Sequence, residues 1–154
     1  FNAASAELDA YIRSLNQQYA GADIHCSLDF RCPLSSYKYI TTQYGQGGHK
    51  GVDLAAPQGT PIYAAADGVV TVAAYHYSYG NYVSIYHGSA DDGNTYATLY
   101  AHMSQAPSVS TNQQVKKGDL IGYVGNTGYS FGNHLHLELR VNGNRTNPLS
   151  YMPH

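Results

Sequence analysis

The sequence predicts a mainly β fold: an antiparallel β-sheet domain preceded by a short N-terminal helix. Three observations point to it. An apolar stripe of helical period occupies the first twenty residues, period-two alternation takes over later, and glycine-marked turn signals separate the later apolar segments.

In the helical stripe, Leu8, Ile12, Leu15 and Tyr19 recur at four, three and four residues, which aligns them on one face. Ser5 is placed to cap the start of this helix and Gly21 to end it. The stripe suits equally the tail of a longer helical region and a helix packed on the domain. Residues 21–36 then read as an irregular linker, so the expected organisation is a helix and linker over 1–36 and the β domain over 37–154. Within the β domain, Tyr82-Val83-Ser84-Ile85-Tyr86 alternates, and Leu135, Leu137, Leu139 and Val141 alternate with His134, His136, Glu138 and Arg140. Asp92-Gly93, Asn142-Gly143 and Tyr79-Gly80-Asn81 sit where tight turns belong. The sixteen tyrosines, beside three Phe and no Trp, read mostly as strand formers, though such rings can also line a wet groove.

A chain of 154 residues supports one core, burying roughly two-thirds of its unfolded surface. With 43% apolar and 12% charged residues the composition is globular, and a formal charge of −2 supplies no basic footprint for nucleic acid. No apolar run is long enough to span a bilayer. Phe1 opens the chain without the basic flank and apolar core of a signal peptide, the pattern expected of a mature or excised form. Cys26 and Cys32, five residues apart in a polar segment, have a spacing that can close a small disulfide loop, as export would permit. With no second Cys/His pair at zinc-finger distance, they do not make a structural zinc site.

Two histidine contexts carry chemistry. In His49-Lys50-Gly51-Val52-Asp53, the surrounding Gly47, Gly48 and Gly51 argue for a loop entering a strand, where an imidazole and a carboxylate can converge on one ion. In His134-Leu135-His136, period two brings both imidazoles out on one face while Leu135 and Leu137 point to the other. Two imidazoles and a carboxylate are the ligand set of a catalytic zinc site with one open position, and one imidazole of the pair is left over. His102, ending the run Thr98-Leu99-Tyr100-Ala101-His102-Met103, is the natural companion of that spare ring, and such rings can take the proton of a zinc-activated water or stabilise an oxyanion. Each piece alone is weak; their joint occurrence carries the reading. Spacing alone does not tell His134 from His136.

Flanking segments are more specific. They are Gly48-His49-Lys50-Gly51-Val52-Asp53-Leu54-Ala55-Ala56-Pro57, then Gly59-Thr60-Pro61-Ile62-Tyr63-Ala64, then Gly80-Asn81-Tyr82-Val83, Tyr100-Ala101-His102-Met103, Val115-Lys116-Lys117-Gly118-Asp119 and Asn133-His134-Leu135-His136-Leu137-Glu138. From about residue 37 onward the chain resembles the M23 family of zinc metallopeptidases, which includes lysostaphin-type enzymes. The resemblance implies a small antiparallel β fold of duplicated-hybrid-motif type, with a loop-walled substrate groove and a single zinc ion at its floor. By motif it implies His49, Asp53 and His136 as zinc ligands, and His102 and His134 as the non-ligand catalytic pair. Leu137 and Asn133 replace a common Phe and Pro, and Gln46 and Gly47 stand where an Arg is common, departures expected to affect groove shape and substrate preference.

The remaining candidates are weighed against bland roles. His87 reads as structural, and His25, His76 and His154 as unremarkable surface residues. The Tyr75–Tyr79 loop suits a groove wall and a packed hairpin tip equally. Glu138, on the face of His134 and His136, is expected to orient an imidazole. The resulting expectation is a secreted zinc endopeptidase, acting in the cell wall or periplasm as a monomer on peptide cross-links of peptidoglycan. The alternative is a catalytically silent M23-fold activator of a cell-wall amidase, though silent members usually lack a ligand. A pure wall-binding module would need no zinc site at all.

Overall fold

The computed structural model describes residues 3–21 and 24–154, so Phe1 lies outside the described residues. Helix α1 spans Ala3–Gln18, and the strands are β1 Tyr39–Thr42, β2 Val52–Ala55, β3 Pro61–Tyr63, β4 Gly68–His76, β5 Gly80–Ser89, β6 Thr95–Met103, β7 Gln114–Val115, β8 Leu120–Tyr123, β9 His134–Val141 and β10 Asn144–Thr146. The fold is mostly antiparallel β with one N-terminal helix, as the sequence predicts. The main sheet runs β1-β2-β9-β6-β5-β4-β7 with β10 on β9, and β3 pairs with β8 in a small second sheet. The Asn142-Gly143 turn joins β9 to β10 with both residues at positive φ, as a two-residue type I′ hairpin requires.

Strand alternation gives the sheet two unlike faces. Leu135, Leu137 and Leu139 of β9 enter the main core with Val83, Ile85 and Tyr100 of the neighbouring strands. The opposite face carries His134, His136, Glu138 and Arg140, with Asp53 paired to His136 in register. Helix α1 covers part of this second face: Leu8 and Ile12 are buried against Val72, Tyr79, Tyr82, Leu99 and Ala101, and Tyr19 packs on a neighbouring patch. Burying each such aliphatic side chain contributes about 1.5–3 kcal/mol, which is what holds a helix of this length in place. The helix thus packs on the sheet. It begins before Ser5, which falls inside the first turn and does not cap it, and it stops short of Gly21.

Residues 25–34 are not loosely attached. Cys26, Phe30 and Leu34 are buried in the main core, and His25 forms a bridge to Ser89. The expected disulfide is absent: Cys26 and Cys32 are free thiols. The reason lies in what holds the segment. Cys26 N–H donates to Ser89 O at the end of β5, whereas Arg31 N–H donates to Ala65 O and Pro33 O accepts from Tyr63 N–H. The backbone at Cys26 is thereby tied to the main sheet, and that on either side of Cys32 to β3 and the residues just after it.

Candidate metal centre

Gly51 leads into β2 against β9, where a Cβ would stand 2.5 Å from the Leu137 carbonyl and 2.8 Å from the His136 ring. Only glycine lets β2 lie this close. The approach brings Asp53 Oδ1 to 2.8 Å from His136 Nδ1, 3.1 Å from His49 Nε2 and 3.7 Å from His134 Nε2. Donor atoms of His49, Asp53 and His136 all lie within 4.8 Å of one another. His49 Nε2 is buried and, apart from its ion-pair contact with Asp53, has no well-aligned hydrogen-bond partner among the described residues, an otherwise costly condition that a cation at this point would relieve. Two imidazole nitrogens and one carboxylate oxygen fit zinc, and three protein donors leave a position open.

The ring of His136 is held from both sides. Its Nε2–H donates to Glu138 Oε2 at 2.9 Å, so Nδ1 faces Asp53. This is the imidazole-orienting role expected of Glu138. Tyr79 adds a 2.6 Å hydrogen bond from its hydroxyl to the same Glu138 oxygen. Burial opposes an imidazolium at His136, yet hydrogen bonds to Asp53 and Glu138, and their charges, raise it to about 9. Burial would raise the Asp53 carboxyl, but the His136 hydrogen bond and the His49 ring beside it outweigh this and hold the group well below the usual carboxylate range. For Glu138 burial is again the largest influence and is again overcome, here by His136, Arg140 and Tyr79, to about 2.

His102 and His134 stand alongside, their ring centroids 4.8 Å apart. Each is fixed by a backbone carbonyl: His102 Nδ1–H donates to Thr127 O at 2.7 Å, and His134 Nδ1–H to Gly132 O at 2.8 Å. In the neutral tautomer this leaves each Nε2 with a free lone pair. His102 has φ 64°, a left-handed conformation costly for a non-glycine residue, and its N–H is tied to Tyr79 O at 2.7 Å. Burial is the main cause lowering its pKa to about 4, against the opposing Thr127 bond. The Thr127 carbonyl is itself clamped. Gly80, at φ +66°, approaches so closely that a Cβ there would sit 2.3 Å from Thr127 Oγ1, and Thr127 Oγ1 also accepts from Asn81 N–H.

These residues share a groove of about 530 Å³, whose rim carries Tyr39, Tyr129 and Phe131. The three rings are 61%, 65% and 89% exposed, enough to meet a ligand entering the groove. Of the Tyr75–Tyr79 loop, Ser78 and Tyr79 line the groove, while Tyr75 and Tyr77 are exposed on the hairpin and are not among its lining residues. Among the sequence departures, Asn133 lines the groove and Gln46 and Gly47 line an adjoining cavity, but Leu137 is buried in the main core and does not shape the groove. His87 is fully buried on the other face of the sheet, bonded to Asp67 O and Thr98 Oγ1. His25 is largely exposed beside Asp91, and His76 stacks on Tyr77. Sequence reasoning missed Tyr79 and Thr127 as supports of the site; the Tyr79-Gly80-Asn81 turn is visible in the sequence, but nothing local indicates what that turn holds together.

Fold and cluster together define a class: an antiparallel β protein with a His–Asp–His constellation whose donor atoms could hold a metal ion, and two further imidazoles beside it. The chain belongs to peptidase family M23, whose model matches residues 47–148. It is 49% identical over 102 residues to the DD-carboxypeptidase/endopeptidase Mpg of Neisseria meningitidis, covering 66% of this chain and 22% of that protein. It is 44% identical over 130 residues to the peptidoglycan DD-endopeptidase ShyC of Vibrio cholerae, covering 82% and 29% respectively. The murein hydrolase activator NlpD of Salmonella dublin is 38% identical over 129 residues, covering 79% of this chain and 32% of the activator. Among solved structures, a zinc containing peptidase from Vibrio cholerae superposes with a TM-score of 0.67 at 34% identity, over 77% of this chain and 38% of that one. The chain therefore spans less than a third of the length of the three curated relatives and 38% of that structure.

Proposed function

We propose that this domain is a zinc-dependent endopeptidase that hydrolyses peptide cross-links of peptidoglycan at D-alanyl bonds, outside the cytoplasmic membrane. The observation that carries the reading is the convergence of His49 Nε2 and His136 Nδ1 on Asp53 Oδ1, with His102 and His134 presenting free Nε2 atoms beside them. His49, Asp53 and His136 would hold the ion. Zinc, when bound, supplies a Lewis acid that acidifies water and polarises the scissile carbonyl. His102 or His134 takes a proton from the attacking water through Nε2, and the resulting imidazolium stabilises the developing oxyanion or returns the proton to the leaving amine. The carbonyls of Thr127 and Gly132 hold both rings in the tautomer this needs. The choice of a D-alanyl bond rests on the likeness to relatives named as DD-endopeptidases.

The likeness to NlpD motivates a second reading, a non-hydrolytic activator. The presence of the whole metal-binding set and both free imidazoles favours the enzyme. Purified peptidoglycan incubated with the protein, with and without a chelator, should release new amino termini only when zinc is present, and mass spectrometry of the fragments identifies the bond. Zinc bound without release from any wall type, together with stimulation of an amidase, would establish the activator instead.

A further inference from the structure

We propose that Asp9, on helix α1, is a positioning residue for the metal centre, acting through Arg140 and Glu138 on the ring of His136. The proposal rests on the metal-binding reading of His49, Asp53 and His136. An unbroken row of ionic contacts joins the helix to that site. Asp9 Oδ1 lies 2.6 Å from Arg140 Nη1, Arg140 Nη2 lies 3.6 Å from Glu138 Oε1, Glu138 Oε2 lies 2.9 Å from His136 Nε2, and His136 Nδ1 lies 2.8 Å from Asp53 Oδ1.

Arg140 and Glu138 are 2% and 1% exposed, so neither can turn to water if its partner is lost. Arg140 hydrogen-bonds through Nη1 alone, to Asp9 and to the Gly143 carbonyl, while its Nε and Nη2 have no hydrogen-bond partner among the described residues. Arg145 stands by as a second cation, its Nε 3.5 Å from Asp9 and its Nη1 3.8 Å from Glu138. Arg13 Nη2 also reaches Asp9, 3.4 Å from Oδ2, so the guanidinium groups that Asp9 shares with Glu138 are those of Arg140 and Arg145. With Asp9 neutralised, both cations are left to Glu138, whose contacts at 3.6 and 3.8 Å have room to shorten. A carboxylate drawn toward two guanidiniums is a poorer acceptor for the His136 Nε2–H, and the ring loses both its orientation and part of its basicity at Nδ1. The burial of Leu8, next in the chain to Asp9, docks the carboxylate and the helix in one step.

The test measures zinc affinity by competition with a chromophoric chelator, alongside the thermal midpoint of the metal-free protein. Glu138→Gln is expected to weaken zinc binding roughly 10–100-fold, the range for loss of a direct imidazole partner, and Asp9→Asn, two contacts further out, roughly 3–10-fold. Because Asp9 acts through Glu138, Asp9→Asn should add less than about twofold in the Glu138→Gln background, and Asp9→Glu should restore the affinity. If Asp9→Asn does not fold, Asp9→Ser, neutral but still an acceptor, takes its place. Unchanged zinc affinity with only a lowered metal-free midpoint would overturn the proposal and leave Asp9 as an anchor for the helix. A full effect in the Glu138→Gln background would overturn it equally. Failure of the unaltered protein to bind zinc would instead sink the metal-centre reading beneath it.

Discussion

His87 and His136 are buried histidines on strands of one sheet, facing opposite sides, and burial disfavours the charged ring at both. They end with opposite protonation. His87 hydrogen-bonds only to neutral groups: Nδ1–H donates to Asp67 O, and Nε2 accepts from the Thr98 hydroxyl, which in turn accepts from Tyr100; the Asp67 carboxylate nearby favours the charged ring but is outweighed by burial. Burial therefore prevails and brings its pKa to about 4. His136 lies between Asp53 and Glu138, and the two carboxylates reverse the balance to about 9. The charge of the partners, and not the depth of burial, makes one histidine part of the core and the other a place where a cation is wanted.

The harshest way to break this comparison is to remove a carboxylate from the charged side. Asp53→Ala should abolish stoichiometric zinc, read by elemental analysis. It should also remove the zinc-dependent gain in stability, about 2.7 kcal/mol at a zinc concentration one hundred times the dissociation constant. His102→Ala, which touches the site but not its proposed donors, should keep zinc and lose about 10²- to 10⁴-fold in peptidoglycan hydrolysis. Zinc loss in that variant would put His102 in the ligand set.

Two milder measurements sharpen the contrast through pH. The folded pKa of His87, about 4, lies below its unfolded value of 6.5, so its contribution to stability is complete above pH 6.5 and is lost as pH falls toward 4. A gap of about 2.5 units corresponds to roughly 3 kcal/mol, which urea unfolding between pH 7 and 4 should register and which His87→Gln should flatten. His136 has the opposite sign. In the metal-free protein its raised pKa gives stability that is complete below pH 6.5 and lost as pH rises through about 9. Zinc must displace that proton, so zinc affinity should climb with pH up to about 9, by about tenfold per unit for one proton released. A flat profile would mean that the ring is neutral before the metal arrives.

Much of the site is legible in the sequence because it depends on short-range periodicity. The alternation of β9 places His134, His136, Glu138 and Arg140 on one face, and the glycines around His49 mark a backbone able to approach β9. The distinction between the two histidines of the pair is not legible. It lies in whether the far nitrogen of each ring meets the Glu138 carboxylate or the Gly132 carbonyl, and only the folded chain shows that. The same holds for Tyr79 and Asp9, which reach Glu138 and Arg140 across 59 and 131 positions of sequence. The cysteine spacing misleads for a related reason: proximity in sequence counts for little when backbone bonds to Ser89, Ala65 and Tyr63 dictate the path between the two thiols.

The anchoring of His102 and His134 on main-chain carbonyls separates two properties that a protein engineer would wish to vary independently. The side chains of Tyr129, Phe131 and Asn133 line the groove, yet neither ring depends on them for its tautomer. A library confined to those three positions can therefore vary the groove while the geometry of the His102–His134 pair, proposed above to move the proton, stays constant, provided the Gly80–Thr127 clasp is kept.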